Sequence, residues 1–157
     1  MAHILKPPSP LSFDASSPTI FLAGSIEMGQ ATDWQSQVEQ AFQNTNATIL
    51  NPRRDEWDAS WRQSIDNPQF REQVEWELEA LERADVVAMY FDPATKAPIT
   101  LLELGLCARR GKVFVFCPEG FWRKGNVEIV CARFGIRLLA NLNDLISAVR
   151  SAIGDVD

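Results

Sequence analysis

The sequence predicts an α/β fold: a five-stranded parallel sheet covered by helices on both faces, a three-layer sandwich. Three observations point there. The runs TIFLAGSI (19–26), ATILNP (47–52), DVVAMYF (85–91), KVFVF (112–116) and Ile136 to Ala140 are short and nearly all apolar, as strands buried on both faces are. Stretches of helical period lie between them, so strand and helix alternate along the chain. The connections are short, apart from two polar loops that carry tryptophan.

Residues 1–18 hold Pro7, Pro8, Pro10 and Pro18 among serines and read as an extended or disordered arm. A single domain over residues 19–157 follows. Its first strand ends in Gly24-Ser25, and Thr32-Asp33 supply a cap for a helix over 34–44. A strand, a glycine loop and a helix N-terminus together form a common cradle for an anion or a ribose. Neither GxGxxG spacing nor a P-loop lysine is present. Gly24 and Ser25 stand at the carboxyl end of the strand, where open α/β sheets bind ligands, and are candidate contacts on that ground.

The second strand runs into Arg53-Arg54-Asp55-Glu56-Trp57-Asp58-Ala59-Ser60-Trp61-Arg62. Trp57 and Trp61 either stack on a planar base, with the arginines meeting a carboxylate or phosphate, or anchor a surface loop of solvated charges. Residues 68–83 form a strong helix, with Phe70, Val74, Leu78 and Leu81 along one face and Trp76 and Ala80 widening it. Glu72, Glu75, Glu79 and Glu82 fit a solvated face, whereas Glu77 lies beside the apolar stripe. The third strand ends at Asp92-Pro93. Pro98 then opens a helix that is apolar nearly all round, with Gly111 as its stop. After the fourth strand come a polar-aromatic loop (118–126), a helix (127–134), the fifth strand and a closing amphipathic helix (143–153). This order of elements is flavodoxin-like or Rossmann-like.

Glu103 stands in the middle of that apolar helix, beside Leu102 and Leu104. A buried carboxylate costs several kcal/mol unless it is paired or put to use. Its place in the first two turns favours the charged form through the helix dipole. Two readings are open: a structural glutamate satisfied by a buried arginine, and a functional carboxylate with Gly105 allowing close approach.

Composition excludes several classes. Hydrophobic residues are 46% and charged residues 23% of 157, an ordinary balance for one globular domain. A net charge of −6 makes polymeric nucleic acid a poor partner. Cys107, Cys117 and Cys131 lack CxxC spacing and read as reduced core thiols of a cytoplasmic protein. With His3 the sole histidine, neither a histidine triad nor a zinc site is expected, and no metal or cofactor is called for. Neither a transmembrane run nor a signal-peptide core is seen, so no membrane partner is expected.

FLAGSI (21–26), ELEALERADVVAMYFD (77–92), TLLELGLCARRGK (100–112) and KGNVEIV (124–130) resemble the nucleoside 2-deoxyribosyltransferase superfamily. That superfamily includes 2'-deoxynucleoside 5'-phosphate N-hydrolases and pyrimidine nucleotide N-glycosidases. The resemblance spans roughly residues 19–136. It implies that Glu103, in the ELG motif, is the nucleophile. A second carboxylate on the preceding helix, which contacts the base or sugar, falls on Glu77, a glutamate where aspartate is more usual. An asparagine that reaches a neighbouring subunit's site falls on Asn126. Two positions depart from the pattern. Phe21 replaces a first-strand tyrosine, which resembles members that accept ribose. Ala97 or Lys96 replaces an aspartate or serine near the sugar 5' end, and Lys96 there would favour a 5'-phosphate.

The chemistry agrees with the resemblance. Retaining cleavage of an N-glycosidic bond needs a carboxylate nucleophile at C1' and an acid for the departing base. Glu103 fits the first role and Glu77 or Asp92 the second. The glycosyl-enzyme then passes its sugar to another nucleobase (a pentosyl transfer) or to water (hydrolysis). The expected partners are a nucleoside or nucleotide and a nucleobase, in a homodimer or larger even homo-oligomer. A nucleotide-sensing module without turnover is the reading from a different class.

Overall fold

The fold is described from a computed structural model over residues 1–24, 33–55 and 58–155. Six parallel strands form one sheet: β1 (His3–Leu5), β2 (Thr19–Gly24), β3 (Thr48–Leu50), β4 (Val86–Tyr90), β5 (Val113–Phe116) and β6 (Arg137–Leu139). They lie in the order β1-β3-β2-β4-β5-β6. The helices are α1 (Trp34–Phe42), α2 (Pro68–Arg83), α3 (Pro98–Cys107), α4 (Lys124–Phe134) and α5 (Leu142–Ala152). From β3 onward the sheet is the five-stranded flavodoxin-like arrangement. The sixth strand comes from the proline-rich N-terminal segment. His3, Ile4 and Leu5 pair in register with Thr48, Ile49 and Leu50, because β3 would otherwise present an unpaired edge.

The strands alternate cleanly between two cores. Ile20 and Leu22 of β2 join Trp34, Val38 and Phe42 of α1 and Leu145 and Val149 of α5 on one face. Phe21 and Ala23 turn the other way, against Trp76, Ala80, Leu104, Cys107 and Cys131 from α2, α3 and α4. Two polar devices fix how the layers meet. Asp85 accepts from the Thr19 backbone N–H (2.8 Å) and hydroxyl (2.9 Å), which pins the starts of β2 and β4 together. Arg110 donates to the Leu81 and Glu82 carbonyls, placing a cation at the carboxyl end of α2, where its dipole favours one.

The N-terminal segment continues from β1 along α2. Trp76 Nε1 donates to the Ser9 carbonyl (2.8 Å), Arg83 donates to the Leu11 carbonyl (2.8 Å), and the Arg83 guanidinium lies 4.5 Å from the Phe13 ring centroid.

The strand order reverses direction between β2 and β4, and a parallel sheet opens a crevice at that switch point. Gly24 is the last residue of β2 there. A Cβ at this position would stand 2.3 Å from Cζ2 of the buried Trp34 ring. Glycine suits this position because the ring that a Cβ would strike is itself buried. Gly24→Ala is expected to destabilise the fold by roughly 2–3 kcal/mol through overpacking. Urea unfolding measures this, and a loss under about 0.5 kcal/mol would mean that Trp34 relocates freely.

Candidate active site

The crevice is a cleft of about 670 Å³ between α2, α3 and the loop from β3 to α2, with Gly24 at its floor. Glu77 and Glu103 both line it. Each arrives by a separate local rule. Asn67 caps α2 by accepting from the Phe70 N–H (3.0 Å), and Pro68 begins its first turn, so Glu77 comes round two and a half turns later. Pro98 begins α3 after Ala97, which holds a left-handed backbone with φ of 46°. Thr100, Glu103, Leu104 and Cys107 are the buried positions of that helix.

Glu103 is not the arginine-satisfied glutamate of the structural reading. Its Oε2 is buried without a hydrogen-bond partner among the described residues. Arg110, seven residues along the chain, donates instead to the Leu81, Glu82 and Ala84 carbonyls at the end of α2. Burial pushes the Glu103 carboxyl from its ordinary 4.5 up to about 8, and the negative charge of Glu77 adds to the rise. The helix dipole that favours the charged form is therefore outweighed by desolvation. Glu77 is likewise raised, to about 7, by burial, while a hydrogen bond from Gln73 opposes the rise. In the free protein Glu103 therefore keeps its proton to higher pH than Glu77, so near neutrality the negative charge falls first on Glu77.

The apolar stripes of α2 and α3 take up positions that the sequence does not suggest. Phe70, Val74 and Leu78 wall the cleft, while Gln73, Trp76, Ala80 and Leu81 make the buried side of α2. Helix α3 was expected to be buried all round, yet Ile99, Leu102 and Leu106 are 56%, 59% and 52% exposed along the cleft rim. Gly105 faces open space, with nothing within 4 Å of a built Cβ, and so serves no close approach within the subunit.

The other expected site residues separate. Gly24 lines the cleft. Ser25 and Trp57 lie outside the described residues. Phe21 is fully buried, in register with Leu50 and Val87, because its strand parity points it into the core beneath α2. Asp92 is buried but turned into the β4–α3 loop, accepting from the Ala94 N–H (2.8 Å), so it does not join the carboxyl pair in the cleft. Lys96 is exposed with Nζ 4.3 Å from the Trp122 ring centroid, outside the cleft lining. Asn126, expected in a loop, sits in the first turn of α4, exposed and away from this cleft. The three thiols are raised by burial to between about 11 and about 12, so none is a thiolate at neutral pH.

Arg54 is one of the loop arginines expected to meet a carboxylate or phosphate, and Gln73 is a cleft residue that was missed. Arg54 lines the wall, donates to Glu72 Oε1 (3.4 Å) and lies 4.8 Å from the Trp61 ring centroid. Gln73 is buried among the glutamates of α2. The available signal was its place four residues before Glu77, which puts both on one helix face.

The model of the nucleoside 2-deoxyribosyltransferase-like family matches residues 17–121, a span that takes in β2, the carboxyl pair and the cleft between them. The chain belongs to that family. No curated protein matches it. Family members act on nucleosides, and the match covers every element that forms this cleft, while α4, β6 and α5 lie beyond it.

The raised carboxyls carry a stability signature. A carboxyl whose folded value exceeds its unfolded one binds more protons when folded, so its stabilising effect is complete below about 4.5 and is lost as pH rises toward about 8. Glu103→Gln removes that loss. At pH 8.5 the variant should melt about 5 °C above the parent, with little difference at pH 5. A variant that melts lower than the parent at both values would restore the structural reading of Glu103.

Proposed function

We propose that this protein cleaves the N-glycosidic bond of nucleosides through a covalent glycosyl-Glu103 intermediate and transfers the sugar to another nucleobase. The observation that carries the reading is the buried, unpartnered Oε2 of Glu103 in a cleft shared with Glu77. A carboxylate stripped of hydrogen-bond donors is a stronger nucleophile than a solvated one. In the first half-reaction a Glu103 oxygen bonds to C1' as the C1'–N bond breaks. Substrate binding first passes the proton that Glu103 holds in the free protein to Glu77, leaving Glu103 as the carboxylate; the bond's electron pair then stays on the base, which takes that proton from Glu77. In the second, an incoming base attacks C1', frees Glu103 and returns a proton to Glu77.

Charge favours free nucleosides over 5'-nucleotides. Both arginines of the cleft already face carboxylates, Arg53 with Asp33 at 3.3 Å and Arg54 with Glu72 at 3.4 Å. The sequence between β2 and α1 holds Glu27 and no lysine or arginine. Among the described residues of the cleft lining, a phosphate would meet no uncommitted cation.

Incubation with 2'-deoxynucleosides, with and without a free acceptor base, tests the reading. Exchange of bases is the expected result. Release of free base without exchange would make the protein a hydrolase, and saturable binding without products would make it a sensing module. Glu103→Ala should lower turnover by several powers of ten while the protein stays folded. Activity within about tenfold of the parent would remove Glu103 from the role.

The same reading includes assembly into a homodimer or larger even oligomer. Ile99, Leu102 and Leu106 stand in solvent at the rim of the cleft, and Asn126 is exposed and does not reach its own subunit's cleft. A symmetric partner would cover the rim and bring Asn126 to the opposite site. Light scattering at micromolar concentration should return at least twice the mass of the 17.6 kDa chain. A fully active monomer would refute it.

A further inference from the structure

One buried polar side chain beside the carboxyl pair takes no part in the chemistry described so far. Gln73 is 3% exposed and is held at three points. Its Nε2 donates to the Pro52 carbonyl (3.0 Å) and to Glu77 Oε1 (2.7 Å), and its Oε1 accepts a long bond from Arg54 Nη1 (3.5 Å). These partners fix the amide's orientation. The Pro52 carbonyl can only accept and a guanidinium can only donate, so a reversed amide would break both of those contacts.

We propose that Gln73 is a positioning residue for the acid: by occupying Oε1 of Glu77, it confines the acid's proton to Oε2. The inference rests on Glu77 being the acid of the proposed reaction. A carboxylic acid whose two oxygens are equivalent presents its proton on either, and only one placement can reach the departing base. Gln73 removes the unproductive placement as soon as Glu77 takes up the proton. It also acts during the reaction. As Oε2 gives its proton to the base, negative charge spreads to Oε1, and the N–H bond there becomes charge-assisted and stronger. The interaction therefore grows toward the transition state, which is the condition for raising kcat rather than lowering KM. Through Pro52 the same amide ties the acid to the loop between β3 and α2, so the carboxyl and that wall of the cleft are held as one unit.

The charged groups that line the cleft around Glu77 are Glu103 on α3 and Arg53, Arg54 and Asp55 on the loop. On α2 itself Glu72 is paired with Arg54. Among the described residues none of these donates a hydrogen bond to Glu77, so Gln73 is the donor whose removal should be felt. Its bond opposes the rise that burial causes, holding the acid near neutrality, where it can both give and recover a proton.

The test compares Gln73→Met, which keeps bulk and removes the donor, with the parent on two substrates. One is 2'-deoxyinosine, whose base needs a proton to leave. The other is N7-methyl-2'-deoxyguanosine, whose base already carries a positive charge and departs neutral. The expected result is a kcat lower by roughly 10- to 100-fold on 2'-deoxyinosine, with KM little changed and the methylated substrate within about threefold of the parent. Equal losses on both substrates would show a merely structural role and overturn the proposal. A second readout needs no turnover: ¹³C NMR titration of the glutamate carboxyls should move Glu77 upward by about one pH unit in Gln73→Met. An unmoved Glu77 would overturn the proposal even if activity fell. Should Gln73→Met fail to fold, Gln73→Asn, whose amide is one methylene short of Glu77, gives the same two comparisons. A parent inactive on both substrates would defeat the proposed reaction itself, and the titration would still decide whether Gln73 governs the Glu77 carboxyl.

Discussion

The charge of Glu77 acting on the buried Glu103 carboxyl is the constraint on which the site depends. Either carboxyl alone in this cleft would be a buried glutamate raised by desolvation. Together they cannot both ionise cheaply, and the pair settles into unequal partners. The inequality has a visible source. Glu77 receives a hydrogen bond from Gln73, whereas Oε2 of Glu103 receives none. A ligand hydroxyl or an electrophilic carbon is what Glu103 lacks, so an occupant of the cleft would shift the proton within the pair. The free protein is thus held in a state less comfortable than the one it would adopt with substrate, at a cost drawn from the stability of the sheet and its helices.

Much of the fold was legible because strand burial is written in composition. The runs at 19–26, 85–91 and 112–116 can only be strands packed on both faces, and the alternation of Ile20 and Leu22 with Phe21 and Ala23 assigns each residue to a layer. Strand β1 was not legible: it has three residues, two of them exposed, and its existence depends on β3 having a free edge rather than on its own pattern. Glu103 could be singled out because a carboxylate among leucines is costly wherever it lands. Glu77 stood out less, since four other acids share its helix and only its offset from the stripe distinguishes it.

The harder part of the site was orientation. An apolar stripe in a sequence says that a helix has something to cover, but not whether that is the core, a ligand or another subunit. On α2 the stripe splits, with Leu81 and Trp76 in the core and Phe70, Val74 and Leu78 walling the cleft. On α3 the surplus faces outward at the rim. Gln73 takes an inward position instead, which a reader of hydropathy assigns to solvent. Its amide is satisfied at three points, so the cost of burying it is met by hydrogen bonds and not by apolar area.

The N-terminal segment lies ahead of most of the family match, which begins at residue 17, yet it is bound into the domain. It adds a strand to the sheet, lies along α2 through the Ser9 and Leu11 carbonyls, and reaches the cleft loop where Lys6 meets Asp55 at 3.0 Å. The helix it braces is the one that carries Gln73 and Glu77. Trimming the chain to the family boundary would therefore do more than shorten a tail. It would leave β3 as an open edge inviting another chain to pair, and it would slacken the helix that carries Glu77. In this protein the border between scaffold and appendage runs inside the first eighteen residues' contacts, not at the place where sequence similarity starts.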